Sequence, residues 1–168
     1  MNCSRLSELE RFAAALGDGA RMELYLTPKP GLVDRADNGS HPDLSLAIME
    51  RSLLLISDYL GEVAASLAHG EAFDCQKRIA IAAEARMFET LATNTHKGFI
   101  FLAGMLLIAR ARAKSGDEAA LQAALIELAT AFFAGAASGA TNGERARREF
   151  GAGGIVLEAV RGYPSLFA

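Results

Sequence analysis

The residues best suited to chemistry lie in four polar clusters on an apolar background. The first is Pro28-Lys29-Pro30-Gly31-Leu32-Val33-Asp34, continuing to Asn38-Gly39-Ser40-His41-Pro42-Asp43. Prolines restrict the backbone, so a stiff loop would present Lys29, Asp34, His41 and Asp43. Carboxylates and an imidazole suit a divalent ion, best of all Mg2+ carried by a nucleotide. The same residues also suit a plain helix–helix connection with Asp43 as an N-cap. The second cluster, Asn94-Thr95-His96-Lys97-Gly98, precedes the most apolar stretch of the chain. Unpaired amides and the dipole at a helix N-terminus favour an anion such as phosphate. Lys97 would add a point charge there, and Gly98 would allow close backbone approach. Alternatively, Asn94 or Thr95 only caps the helix and His96 is a satisfied, partly buried histidine.

The third candidate is Glu84, set among Ile81, Ala83 and Ala85 with Met87 and Phe88 one turn on. It lies either on a solvated face or in the interior for a purpose. Glu23 is in the same position near the end of its own helix. The fourth cluster is Asn142-Gly143-Glu144-Arg145-Ala146-Arg147-Arg148-Glu149, followed by a glycine-rich loop and Glu158. Arg145 and Arg148 share a helix face and could grip a phosphate, or belong to an ordinary charged surface. No Gly-Lys-Ser/Thr follows the glycines, so they are not a Walker A loop. His-Glu-x-x-His, Gly-x-Ser-x-Gly and Cys-x-x-Cys motifs are absent from the sequence.

Helices must position these clusters. Abundant alanine and few β-branched residues favour helix over strand. Apolar spacing predicts a first helix over about 6–26, with Ser7 and Glu10 as a capping box. Thr27-Pro28-Lys29-Pro30-Gly31 ends it. A long polar loop over 27–42 is the kind that carries function. A second helix is expected from about 42–43 to 69, ending at Gly70, and a third from about 74. The fourth, over 99–114, is apolar almost all round and therefore central. A fifth follows 115–118, a short basic helix covers 142–150, and a last one covers 155–161. The expectation is an all-α, single-domain bundle over 1–168 with a buried central helix.

The chain has 168 residues, 51 % hydrophobic and 22 % charged, with a net charge of −3. This is one domain's worth of chain, too short for a two-domain dehydrogenase. The charge excludes a dedicated nucleic-acid binder, but not a local nucleotide site. The apolar run over 98–109 falls short of the ~18 residues of a membrane span. Two cysteines and a polar N-terminus point to the reducing cytoplasm, with no signal peptide.

Read in order, the string Glu23, Thr27-Pro28-Lys29-Pro30-Gly31-Leu32-Val33-Asp34, Asn38-Gly39-Ser40-His41, Asp43, Ser52, Glu84, Met87, Asn94-Thr95-His96-Lys97-Gly98, Glu158-Ala159 and Gly162-Tyr163-Pro164 resembles the triphosphoribosyl-dephospho-CoA synthase family. The resemblance runs from about residue 20 to the end. It implies an enzyme that joins the triphosphoribosyl unit of ATP to 3'-dephospho-CoA and releases adenine. The product would be the prosthetic-group precursor of citrate lyase or malonate decarboxylase. A relative with another nucleotide substrate, or a non-catalytic or split nucleotide-binding module, is the alternative.

Under this resemblance Lys29, Asn94, His96, Lys97, Gly98, Arg145 and Arg148 bind the nucleotide. Asp34, Asp43 and Glu84 are candidates for Mg2+ ligation and acid–base work, with Glu23 and Glu158 as second choices. Displacing adenine builds oxocarbenium character, which a neighbouring carboxylate stabilises. The chain departs from the family pattern at Thr90-Leu91-Ala92-Thr93 and at Asn142-Gly143. Longer relatives continue with further helices. A homo-oligomer, or a second chain supplying that segment, is therefore expected beside the small-molecule substrates.

Overall fold

The computed structural model describes residues 3–93, 95–134 and 154–167. Among these residues there are six helices and no strand, so the all-α expectation holds. They are α1 (Cys3–Tyr25), α2 (Leu46–Ala68), α3 (Phe73–Leu91), α4 (Lys97–Arg112), α5 (Glu118–Ala134) and α6 (Gly154–Val160). The expected basic helix over 142–150 lies outside the described residues. No described helix is long and apolar enough to cross a membrane.

Three helix starts differ from expectation. Ser7 and Glu10 lie inside α1, which begins at Cys3, so they form no capping box. The cap of α2 is Ser45, not Asp43: its backbone is extended and its Oγ accepts from the Ile48 amide at 3.3 Å. Helix α4 begins at Lys97, two residues early, which places Lys97 and Gly98 in its first turn. The Ile100 amide donates to the His96 carbonyl, so His96 is the residue from which α4 starts.

Contacts group the chain into two compact units, Met1–Leu107 and Ile108–Ala168. In the first unit α1 packs on α2 and α2 on α3. Leu9, Ala13, Ala20 and Leu24 form the buried stripe of α1; Ile56, Tyr59, Leu60 and Val63 form that of α2. Helix α4 is buried at every residue from 103 to 109, as its apolar sequence requires. The Tyr59 hydroxyl donates to the Ile100 carbonyl at 3.0 Å. A Cβ on Gly104 would run into that hydroxyl, so glycine is what lets α2 and α4 approach here.

In the second unit α5 packs on α6, and Leu125, Leu128 and Ala159 are buried there. Asp117 caps α5, its Oδ1 accepting from the Ala120 amide at 2.9 Å. After α6 the chain turns at Gly162 (φ 76°), where a Cβ would press on Ile126 at 2.8 Å.

Candidate active site at the start of α4

The loop between α1 and α2 is organised around one carboxylate. Asp34 Oδ2 accepts from the Lys29 amide at 2.8 Å, and Oδ1 accepts from the amides of Ala36 (2.6 Å) and Asp37 (3.1 Å). These bonds hold the Asp34 carboxyl below the usual carboxylate range, with the Lys29 amide the largest cause. The Asp34 amide donates to the Asp37 carbonyl, and the Asp37 carboxylate takes the Gly39 amide at 2.7 Å. Gly39 (φ 57°) lies against the backbone of Gly31, leaving no space for a side chain. The Thr27–Pro28 peptide bond at the loop entrance is cis.

This folding presents Lys29. Its ammonium lies 3.0 Å from Glu23 Oε1 in the last turn of α1, and its side chain is only 10 % exposed. A mostly buried ammonium needs such a partner. Lys97, by contrast, is 63 % exposed in the first turn of α4, and it reaches Glu84 Oε2 on α3 at 3.1 Å. Exposed pairs of this kind contribute about 0–1 kcal/mol, so Glu84 can release Lys97 to an incoming anion cheaply. Gly98 is exposed, and a Cβ there would meet nothing within 4 Å.

Behind the two lysines lies a buried polar group. His96 Nδ1 is hydrogen-bonded to Ser52 Oγ of α2, and Thr95 Oγ1 donates to the same Ser52 oxygen at 2.7 Å. Ser52 is fully buried and His96 nearly so. Burial pushes the His96 pKa down; Glu23 opposes this and Lys29 adds to it, so both groups reach the imidazole electrostatically. Asp43, exposed before α2, accepts a long 3.5 Å contact from Thr93, which brings it beside the α3–α4 turn.

The first three sequence clusters therefore converge at the start of α4. Asn94, Arg145 and Arg148 lie outside the described residues. Glu158 belongs to the second unit, where Ser165 takes its carboxylate through both amide and hydroxyl. The sequence reading assigned no role to Ser52. Its visible signals were its place in the family string and a polar side chain on the otherwise apolar series Ile48, Ile56, Tyr59, Val63.

The arrangement suits an anion better than a resident metal. Asp34 has both oxygens committed to backbone amides, Asp43 contacts Thr93, and Glu84 pairs with Lys97. Among the described residues no three His, Cys, Asp or Glu side chains gather as a metal site. Two ammonium groups, an imidazole and the amides of a helix N-terminus are donors for phosphate oxygens.

The described residues define an all-α protein in which two lysines and a buried histidine gather at a helix N-terminus. The chain belongs to the ATP:dephospho-CoA triphosphoribosyl transferase family, whose model matches residues 9–168. It is similar to the probable 2-(5''-triphosphoribosyl)-3'-dephosphocoenzyme-A synthase of Pseudomonas aeruginosa strain UCBPP-PA14. The two are 39 % identical over 84 % of this chain and 51 % of the relative. A protein of the same description from Pseudomonas putida is 31 % identical over 97 % of this chain and 60 % of its own length. The 2-(5''-triphosphoribosyl)-3'-dephosphocoenzyme-A synthase of Pectobacterium atrosepticum is 43 % identical over 52 % of this chain. The chain thus spans about half the length of several curated relatives it matches. No solved structure matches it.

Proposed function

We propose that this chain binds MgATP at the start of α4 and transfers its triphosphoribosyl unit to 3'-dephospho-CoA, releasing adenine in the cytoplasm. The observation that carries this reading is the pair of lysines, each held by a carboxylate, Lys29 acting on buried His96 and Lys97 following it in the first turn of α4. Lys29, His96, Lys97 and the Gly98 backbone bind the triphosphate. Mg2+ enters as part of the nucleotide. Glu84, freed when Lys97 turns to phosphate, faces the positive charge that develops on the ribose, and Asp43 is the second carboxylate at hand. Asp34 acts one step back, as the brace that positions Lys29.

Adenine release tests the reading directly. The protein is incubated with ATP, Mg2+ and 3'-dephospho-CoA, and free adenine is followed by chromatography. Adenine that appears only with dephospho-CoA is the expected result. ATP binding without adenine would leave a nucleotide-binding module and overturn the transferase reading.

A further inference from the structure

The buried side chains behind the site form a hydrogen-bond chain with a direction. Thr95 Oγ1 has three neighbours able to accept its proton: Ser52 Oγ at 2.7 Å, Met87 Sδ at 3.4 Å and His96 Nδ1 at 3.4 Å. The Ser52 oxygen is both nearest and a far better acceptor than a thioether. A serine that has accepted from Thr95 still has its own proton to place, and His96 Nδ1 is hydrogen-bonded to it. A neutral imidazole that accepts at Nδ1 carries its proton on Nε2, at the opposite edge of the ring.

We propose that Ser52 and Thr95 are positioning residues that hold His96 as the neutral Nε2–H tautomer. The histidine then offers a phosphate oxygen a fixed N–H donor, while Lys29 and Lys97 supply the charge. This division of labour rests on the reading of His96 as a ligand-binding group; the tautomer itself does not.

Histidine 15N NMR of the uncomplexed protein at neutral pH tests the tautomer. The chain has three histidines, and His69 supplies an internal contrast. Its Nδ1 lies 2.7 Å from the Ala65 carbonyl and must donate to it, so its Nδ1 carries a proton where that of His96 is expected to be bare. His96, assigned by loss of its signals in His96→Gln, is expected to show a protonated Nε2 and a bare Nδ1. A protonated Nδ1, alone or with Nε2, overturns the proposal. Ser52→Ala and Thr95→Val should each mix the tautomers, whereas Thr95→Ser should not. If Ser52→Ala fails to fold, Thr95→Val carries the test; a pure Nε2–H signal in either folded variant overturns the positioning role. ATP should shift the Nε2–H resonance, and Thr95→Val should weaken ATP binding roughly threefold to tenfold. An intact tautomer that ATP leaves unmoved removes the ligand-binding half alone.

Discussion

Lys29 and Lys97 show how two identical side chains take different duties. Lys29 is almost buried and tied to Glu23, so removing it damages the loop as well as any ligand contact. Lys97 is exposed on a short helix turn, so its loss is informative about binding. Lys97→Ala is expected to raise the ATP dissociation constant roughly tenfold in calorimetry while changing stability by less than about 1 kcal/mol. Unchanged affinity would remove Lys97 from the site. Gly98 provides a sharper test, because among the described residues no atom lies within 4 Å of where its side chain would stand. Gly98→Ala should leave the fold as stable or more so, by up to about 1 kcal/mol, yet weaken ATP binding. Equal affinity in the two proteins would show that no ligand approaches that backbone.

Among the elements, helix identity was legible and helix starts were not. The apolar stripes of α1 and α2 and the uniformly apolar α4 follow directly from residue spacing. Caps depend on which of several polar residues reaches an amide, and around α2 both Asp43 and Ser45 were eligible until the backbone chose Ser45. The loop cluster and the 93–98 segment were legible as polar islands. Their convergence at the start of α4 was not, because it arises from tertiary packing across 50 residues of separation. The contact between α2 and α4 has the same character, and it yields a coupled prediction. Gly104→Ala forces a methyl into the Tyr59 hydroxyl and should cost about 1–3 kcal/mol. Tyr59→Phe alone should cost about 1 kcal/mol, through the lost bond to Ile100. Combined, the losses should fall short of their sum, since removing the hydroxyl removes the collision. Additive denaturation midpoints would refute the packing.

For the whole molecule, buried His96 ties stability to pH. Its folded pKa is depressed by burial below the ordinary 6.5, so the unfolded chain binds the proton first. Stability should therefore fall as the pH drops below about 6.5, down to the folded pKa. Denaturant titrations of the wild type and His96→Gln should diverge over that window; parallel curves would contradict the burial. Asp34 acts lower down, since its depressed carboxyl stabilises the fold above about 3.8 and loses that contribution as pH falls through its folded value. Family membership was readable in the sequence because its two longest motif runs are contiguous, whereas the pairing of Ser52 with His96 spans 44 positions. The loop that Asp34 gathers has one more consequence, for speed. Its three amides and the Gly31–Gly39 crossing are bonded entirely within the chain, so this segment needs no ligand to order it and presents its lysine ready for capture. ATP association in stopped-flow should show a single phase whose rate rises linearly with nucleotide concentration. Saturation of that rate would reveal a conformational step that the loop's own bonding gives no reason to expect.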